Sequence, residues 1–202
     1  MKRLGLIWIL SWCACGGAQV PERSAETPPV DPIAAVDADE LFTRGVELAQ
    51  AGDLVRAEQY LATAIIRGYS ESAVMPLLMR VCVAASRLRV ALEYATGYLS
   101  RHPDDWALRY LVATIHNGLG DDSAAQRELE VVVELAPDEP NPRWELWVLL
   151  RENGSTSDAS VTHLRRYLEL APDGTHARDA RAALGALSST SAGSSVAQGV
   201  GP

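Results

Sequence analysis

Residues 106–139 read WALRYLVATIHNGLGDDSAAQRELEVVVELAPDE. Within one apolar run stands a small residue, Ala113, and a second small residue, Ala125, follows twelve positions later. An apolar residue, Leu129, comes four positions after that, and Pro137 stands eight positions further on. Two antiparallel helices approach closely only where neither carries a bulky side chain at the crossing. The pattern therefore predicts a pair of packed helices, the second of which ends before Pro137 because proline cannot continue a helix.

The same pattern recurs at a spacing of about 34 residues, which is typical of a repeat protein. The first copy has Gly45 at the first small position but no terminal proline, so we expect Gly68 to end its second helix. The second copy places Met79 at the first small position, and the fourth places Trp147 there. An insertion within residues 155–158 explains why Ser160 takes the place of the alanine one position late. The four copies are residues 38–71, 72–105, 106–139 and 140–173.

Short polar residues stand where the helices of these copies should begin. Their side-chain oxygens can accept hydrogen bonds from the first free backbone N–H groups of a helix. The expected N-caps are Asp37, Asp53, Asp104, Asp122 and Ser157.

These residues give the chain a resemblance to the tetratricopeptide repeat family, whose pattern of aromatic, Leu-Gly, Tyr, Ala, Phe and Pro positions is matched in register. The resemblance implies an all-α fold, a right-handed superhelical solenoid of about four antiparallel helix hairpins within residues 38–187. Over residues 175–187, Ala177, Ala180, Leu184 and Leu187 share one helical face. We expect this segment to be a capping helix, because the last repeat would otherwise expose an apolar face to water.

The N-terminus follows the order of a bacterial secretion signal of the lipoprotein type. Lys2 and Arg3 precede a short apolar run over residues 4–10, and small residues and cysteines follow it. The run is too short for a permanent membrane helix, which takes about 20 apolar residues. Residues 1–14 are therefore predicted to be a signal peptide that is removed.

Cys15 is the expected lipidation site, because the segment around it resembles a lipoprotein cleavage site, where a cysteine after a small residue becomes the acylated N-terminus. Cys15 follows Ala14 and fits this requirement. Cys13 is the alternative, since Leu10 stands three residues before it. A further alternative is ordinary cleavage after Ala18, which would release a soluble periplasmic protein.

Two segments are predicted to be disordered because they hold too few apolar groups to order themselves. Residues 15–37, rich in Pro, Ala, Glu and Ser, would form a tether between the membrane and the solenoid. Residues 188–202, SSTSAGSSVAQGVGP, would form a tail.

The chain is acidic, with 18 Lys and Arg against 26 Asp and Glu and a formal charge of −8. Removal of residues 1–14 takes away two basic residues and leaves 16 against 26, a charge of −10. Such a surface offers no electrostatic footprint for nucleic acid or anionic lipid. Attachment to a membrane is therefore expected only through the N-terminal lipid anchor.

The sequence carries no motif for catalysis or metal binding. It lacks a phosphate-binding GxxxxGK[ST] loop, a GxSxG elbow, an HExxH pair and cysteines at zinc-ligand spacing. We predict that the protein is not an enzyme and has no catalytic residue, metal, cofactor or small-molecule substrate. Cys82, the one cysteine in the predicted solenoid, is expected to be a small buried hydrophobe.

One set of residues has a geometry suited to binding a partner. Phe42, Pro76, Tyr110 and Trp144 recur every 34 residues in the first helix of each copy, so they form a row in a stacked solenoid. In tetratricopeptide proteins the first helices line a concave groove that holds peptides. The resemblance therefore implies that Phe42, Tyr110 and Trp144 contact a partner.

Polar residues of the same helices would add to these contacts. They are Arg80, Asn117 and Arg151. The alternative for the aromatic residues is a place in the core, because an error of one residue in the register rotates a side chain by about 100°.

The predicted function is a protein-protein interaction scaffold, a cell-envelope lipoprotein that binds a protein or peptide in its groove and helps to assemble an envelope complex. Its expected location is the outer membrane, anchored by lipid and facing the periplasm. The alternative is a soluble periplasmic regulatory or accessory subunit of a cell-wall or secretion enzyme.

Overall fold

Nine α-helices make up the part of the chain that the structure, a computed structural model, describes. The described residues are 36–154 and 157–197, with side chains up to residue 188. No strand occurs within these ranges. The helices are α1 Ala38–Gln50, α2 Leu54–Ile66, α3 Glu71–Ala84, α4 Leu88–Leu99, α5 Trp106–Gly118, α6 Asp122–Leu135, α7 Pro140–Glu152, α8 Asp158–Leu170 and α9 Ala177–Ala197.

Five of the described helices, α1, α2, α5, α6 and α8, begin after a residue whose side chain accepts a hydrogen bond from the first turn. The side chains of Asp37, Asp53 and Ser157 accept backbone N–H groups three residues on, as predicted. Two expected caps are wrong by one residue, because Asp105 and Asp121 cap α5 and α6. In both Asp-Asp pairs the cap is the aspartate directly before the first helical residue, and two adjacent aspartates are equally suited to this role by residue type.

The helices pair into four hairpins, α1 with α2, α3 with α4, α5 with α6 and α7 with α8, and each hairpin packs on the next. α9 packs on α8. The hairpins coincide with the four sequence copies, and the predicted all-α solenoid of helix hairpins is confirmed.

The small positions of the repeat lie at the helix crossings. Ala57, Ala113 and Ala125 are buried, and a methyl group added at Gly45 would lie 2.8 Å from Leu61 Cγ. In the first hairpin the second helix ends at Ile66, and Gly68 follows with a φ of +93°. Glycine takes this left-handed conformation without the steric penalty of a side chain, so the predicted stop signal is confirmed.

The fourth hairpin accommodates Trp147 where the other hairpins have smaller side chains. Trp147 is 2% exposed and packs in one cluster with Leu164, Tyr167 and Ala180. The small side chain of Ala180 leaves room for the large indole where α9 meets it.

The first hairpin has a polar face where later hairpins have an apolar one. Its positions Glu40, Arg44 and Glu47 are exposed, and Arg44 pairs with Glu40 at 2.6 Å. The positions 34, 68 and 102 residues later are buried and, apart from the ring of Pro142, aliphatic: Val74, Leu78, Val81, Leu108, Val112, Ile115, Pro142, Leu146 and Leu149. This polar face fits the position of α1 as the first of the described helices in the stack, because a terminal repeat needs a polar outer surface.

The capping helix differs from the predicted segment 175–187. α9 begins at Ala177 and continues to Ala197, past the end of that segment and into the predicted tail, whose disorder stays a prediction. Ala177 and Ala180 are buried as expected. The signal peptide 1–14, Cys13, Cys15, the tether up to residue 35 and residues 198–202 lie outside the described residues.

Candidate protein-binding groove

The first helices of the four hairpins, α1, α3, α5 and α7, enclose three pockets in succession. We call this row of pockets the groove. The pockets between α1 and α3, between α3 and α5, and between α5 and α7 have volumes of about 440, 390 and 170 Å³. The predicted position of the binding surface on the first helices therefore coincides with open space beside those helices.

The first two pockets are mainly apolar and share Arg80. Phe42, Val46 and Leu77 line the first pocket, and Leu108 and Leu111 line the second. Pro76 and Arg80, both exposed, line both pockets. The side chain of proline is apolar, and its backbone has no N–H. This part of α3 therefore presents an apolar surface in which Arg80 is the single cation.

Arg80 forms no ion pair with any of the described residues. Asp105 is the one carboxylate among the described residues that line these two pockets, and its hydrogen bonds go to other residues. One carboxylate oxygen of Asp105 accepts from Leu108 N at 3.0 Å and the other from the Tyr98 hydroxyl at 3.1 Å. The guanidinium of Arg80 therefore keeps its five donors for water or for a partner.

The third pocket is smaller and acidic. Glu145 and Glu152 of α7 and Asn117 and Thr114 of α5 supply its polar groups. Trp144, Val148 and Leu149 supply apolar surface. Among the described residues that line this pocket there is no lysine or arginine.

Phe42 is half-buried. It combines the two roles considered from the sequence, which are packing in the core and exposure to the groove. Its ring stacks on Tyr69, with centroids 4.4 Å apart and an angle of 15° between the planes. It also lines the first pocket. Part of the ring thus holds α1 against the start of the second hairpin, and part faces the groove.

Tyr110 lies between α5 and α7 and lines none of the three pockets. It is half-buried, packs against the cluster around Ala113 and Leu146, and donates its hydroxyl to Glu145 Oε1 at 2.6 Å. Burial, followed by this hydrogen bond, raises the pKa of Tyr110 above its usual value. A binding role for Tyr110 stays a prediction, and its contacts are those of a residue that joins two hairpins.

Trp144 resembles Phe42 in having one side packed and one open. Its ring stacks on His176, with centroids 4.6 Å apart and planes at 5°, and tilts against Trp147 and Tyr167. The backbone N–H of His176 donates to the Tyr167 hydroxyl at 3.0 Å. These contacts fix the start of α9 against α7, while Trp144 also lines the third pocket.

The two remaining polar candidates differ in position. Asn117 is exposed and lines the third pocket. Arg151 lies outside that lining, because its guanidinium covers the ring of Trp147 at 4.7 Å and reaches Glu152 at 3.8 Å. The structure therefore brings Arg80, Asn117, Phe42 and Trp144 to the pockets, and it places Tyr110 and Arg151 beside them.

Sequence reasoning missed the acidic residues of the third pocket, Glu145 and Glu152. A signal was present in the repeat, because Glu145 follows Trp144 at a position where the two preceding copies have Leu77 and Leu111. A carboxylate where the two preceding copies have leucine marks a change in the groove. Its meaning depends on which neighbours share the pocket, and the sequence alone does not show them.

The described residues give no indication of metal or thiol chemistry. They contain no group of three His, Cys, Asp or Glu side chains that could hold a metal ion. Cys82 is fully buried, and burial raises the pKa of its thiol to about 11. Such a thiol stays protonated and unreactive near neutral pH, as expected for a packed side chain. Among the same residues, no helix is both long and apolar enough to cross a bilayer.

Comparisons with known proteins give the fold. No protein-family model matches the chain, and no curated protein matches it. A tetratricopeptide repeat protein from Parabacteroides merdae superposes with a TM-score of 0.65 at 20% identity over 72% of this chain, which spans 57% of that protein. The chain has the tetratricopeptide repeat fold.

Two further solved structures are similar at comparable levels. YrrB, described as a TPR protein with an unusual peptide-binding site, has a TM-score of 0.59 and 17% identity, with 71% of this chain and 74% of YrrB covered. MamA from Desulfovibrio magneticus RS-1 has a TM-score of 0.58 and 18% identity, with 69% of this chain and 78% of MamA covered. At these identities the likeness concerns the fold and carries no partner or activity with it.

Proposed function

We propose that the protein is a non-enzymatic interaction scaffold of the bacterial cell envelope, which binds a segment of another protein in the groove. The observation that carries this proposal is Arg80, an exposed cation without an ion pair among the described residues, between two apolar pockets. Arginine and aromatic side chains next to apolar pockets are the groups that dominate binding energy in protein interfaces. The peptide-binding site named for YrrB lends support from a protein of the same fold.

A capture experiment with a matched control tests this function. Wild-type protein, Arg80→Glu and Arg89→Glu would be immobilised and exposed to envelope extract, and the captured proteins would be quantified by mass spectrometry. Arg89 is an exposed cation of α4 that lines none of the three groove pockets. A partner should be captured by wild type and by Arg89→Glu and lost with Arg80→Glu.

Identical capture by all three proteins would contradict binding in the groove. Circular dichroism of each variant separates loss of binding from loss of fold. Because Arg80 is exposed, its replacement is expected to change the free energy of unfolding by no more than about 0.5 kcal/mol.

The proposed location is the outer membrane, with the protein anchored through acylated Cys15 and facing the periplasm, where it would help to assemble an envelope complex. Support comes from the signal-like order of residues 1–14 and from Gly16, which stands where enteric lipoproteins retained at the inner membrane carry an acidic residue. The alternative is a soluble periplasmic subunit released by cleavage after Ala18. It would use the same groove without lipid.

A further inference from the structure

The charged groups differ between the two halves of the groove. Arg80 is the cation of the first two pockets and has no ion pair among the described residues, while Asp105 of the second pocket accepts hydrogen bonds from Leu108 N and the Tyr98 hydroxyl. The third pocket has Glu145 and Glu152. On a protein with an overall negative charge, a free arginine at one end and carboxylates at the other give the groove a direction.

The two carboxylates of the third pocket are not equivalent. Glu152 is exposed, and Arg151 lies 3.8 Å from it. Glu145 is half-buried and accepts from Tyr110 through Oε1, while no described residue donates to Oε2. Glu145 therefore keeps one oxygen for a donor from outside, in a place where partial burial strengthens a charge-assisted hydrogen bond.

Trp144 adds a surface that favours the same kind of donor. One side of its ring is covered by His176, and the residue lines the third pocket beside Glu145. An aromatic ring next to a carboxylate attracts an ammonium or guanidinium group through cation–π and ion-pair interactions together. The long apolar stem of a lysine or arginine can cover Val148 and Leu149 on its way in.

We infer that the groove takes an extended peptide segment with an acidic side chain at Arg80, apolar side chains in the two pockets beside it, and a basic side chain at Glu145. This inference rests on the proposed function. Arg80 lies on α3 and Glu145 on α7, so two helix spacings of roughly 10 Å each separate them. An extended chain rises about 3.3 Å per residue, which places the acidic and the basic residue about six positions apart.

Selection from a displayed library of random peptides tests the inference without knowledge of the natural partner. Wild-type protein should enrich peptides that carry Asp or Glu between apolar residues and Lys or Arg about six positions away. Arg80→Glu should replace the acidic preference by a basic one. Glu145→Gln should remove the preference for the distant basic residue, because it abolishes the charge and keeps an acceptor for Tyr110.

Affinities are measured with one enriched peptide. This peptide is labelled with a fluorophore and titrated with each protein, and binding is followed by fluorescence anisotropy. Arg80→Glu and Glu145→Gln should each lower the affinity for this peptide by about tenfold or more, as loss of a charged hydrogen bond does. Arg89→Glu and Glu134→Gln are the matched controls, since both residues are exposed and lie on second helices of hairpins. These controls should leave the affinity within about twofold, since exposed substitutions away from special features change free energies little.

The outcomes separate this inference from the proposed function. Enriched peptides that lack the charge pattern but still bind wild type better than Arg80→Glu overturn the inference and leave a peptide-binding groove. Peptides that bind wild type and Arg80→Glu equally overturn both. A dimer of the protein alone that Arg80→Glu dissociates, seen by light scattering, would make a second copy the occupant and also overturn the inference.

Discussion

Tyr110 joins two neighbouring hairpins through one hydrogen bond. Its hydroxyl donates to Glu145 at 2.6 Å, and its ring packs on the cluster that contains Ala113 and Leu146. Removing the hydroxyl leaves a half-buried carboxylate without its donor, which costs more than the loss of an exposed hydrogen bond. The side chain is thus part of the joint between α5 and α7.

Tyr110→Phe is expected to lower the free energy of unfolding by about 1 kcal/mol, because the ring stays and only the hydrogen bond is lost. Tyr110→Ala should lower it by about 2 to 3 kcal/mol, because the packed ring is lost as well. Urea unfolding followed by circular dichroism measures both. Equal stability of Tyr110→Ala and wild type would show that the ring is free to face the groove, as the binding role predicted from the sequence requires.

The same residue makes stability depend on alkaline pH. The folded protein raises the pKa of Tyr110, so unfolded chains lose this proton at a lower pH than folded ones do. The stabilisation is therefore complete below the ordinary tyrosine pKa of 10.0 and declines as pH rises above it. Urea midpoints measured from pH 8 upward should fall above about pH 10, and the fall should be smaller in Tyr110→Phe. If the urea midpoint of Tyr110→Phe falls with pH as steeply as that of wild type, the titration of Tyr110 is not the source of this pH dependence.

At the scale of helices, close crossings hold the hairpins together. Among the glycines within the described helices, the closest approach is in the first hairpin, where Gly45 leaves no room for a side chain against Leu61. Gly97 of α4 lies in a helix too, but a methyl group there would meet no atom within 4 Å. The two glycines therefore separate packing from helix propensity.

Gly45→Ala and Gly97→Ala should change stability in opposite directions. At Gly97 the substitution should stabilise the protein by about 0.5 to 1 kcal/mol, the difference in helix propensity. At Gly45 that gain is outweighed by overpacking of about 1 to 3 kcal/mol. Thermal unfolding of both variants shows whether each substitution stabilises or destabilises the protein. Stabilisation at Gly45 equal to that at Gly97 would mean that α1 and α2 can separate without cost.

At the scale of the whole molecule, each hairpin contacts mainly its neighbours, so the groove is assembled one pocket at a time. Its charge can then change from one pocket to the next, because each pocket depends on only two successive first helices. The polar face of α1 and the packing of α9 on α8 close the two ends of this stack.

Anchoring also belongs to this scale, because it determines where the whole solenoid works. Cys15→Ala is expected to move the protein from the membrane fraction to the soluble periplasmic fraction or to leave it uncleaved, since the acylated residue is lost. Cys13→Ala is the control and should remain membrane-bound. Fractionation and intact mass measure both. A mature, membrane-bound Cys15→Ala protein would identify Cys13 as the acylated residue.

The sequence by itself determined the repeat, and with it the hairpins, their crossings and the helices that line the groove. Ala113, Ala125 and Gly45 are informative because only a small residue fits a close helix crossing, whatever surrounds it. The row of Phe42, Tyr110 and Trp144 also follows from the period, because equal spacing in a stack places equivalent residues side by side.

Only the tertiary structure decided how each of these side chains is used. Phe42 and Trp144 divide their rings between neighbours and pockets, whereas Tyr110 turns to Glu145 of the next hairpin. Arg151 covers Trp147, and Arg80 stays open. Most of these differences depend on contacts with residues of a neighbouring element, and a periodic pattern records the position of a residue but not the partner that its side chain meets.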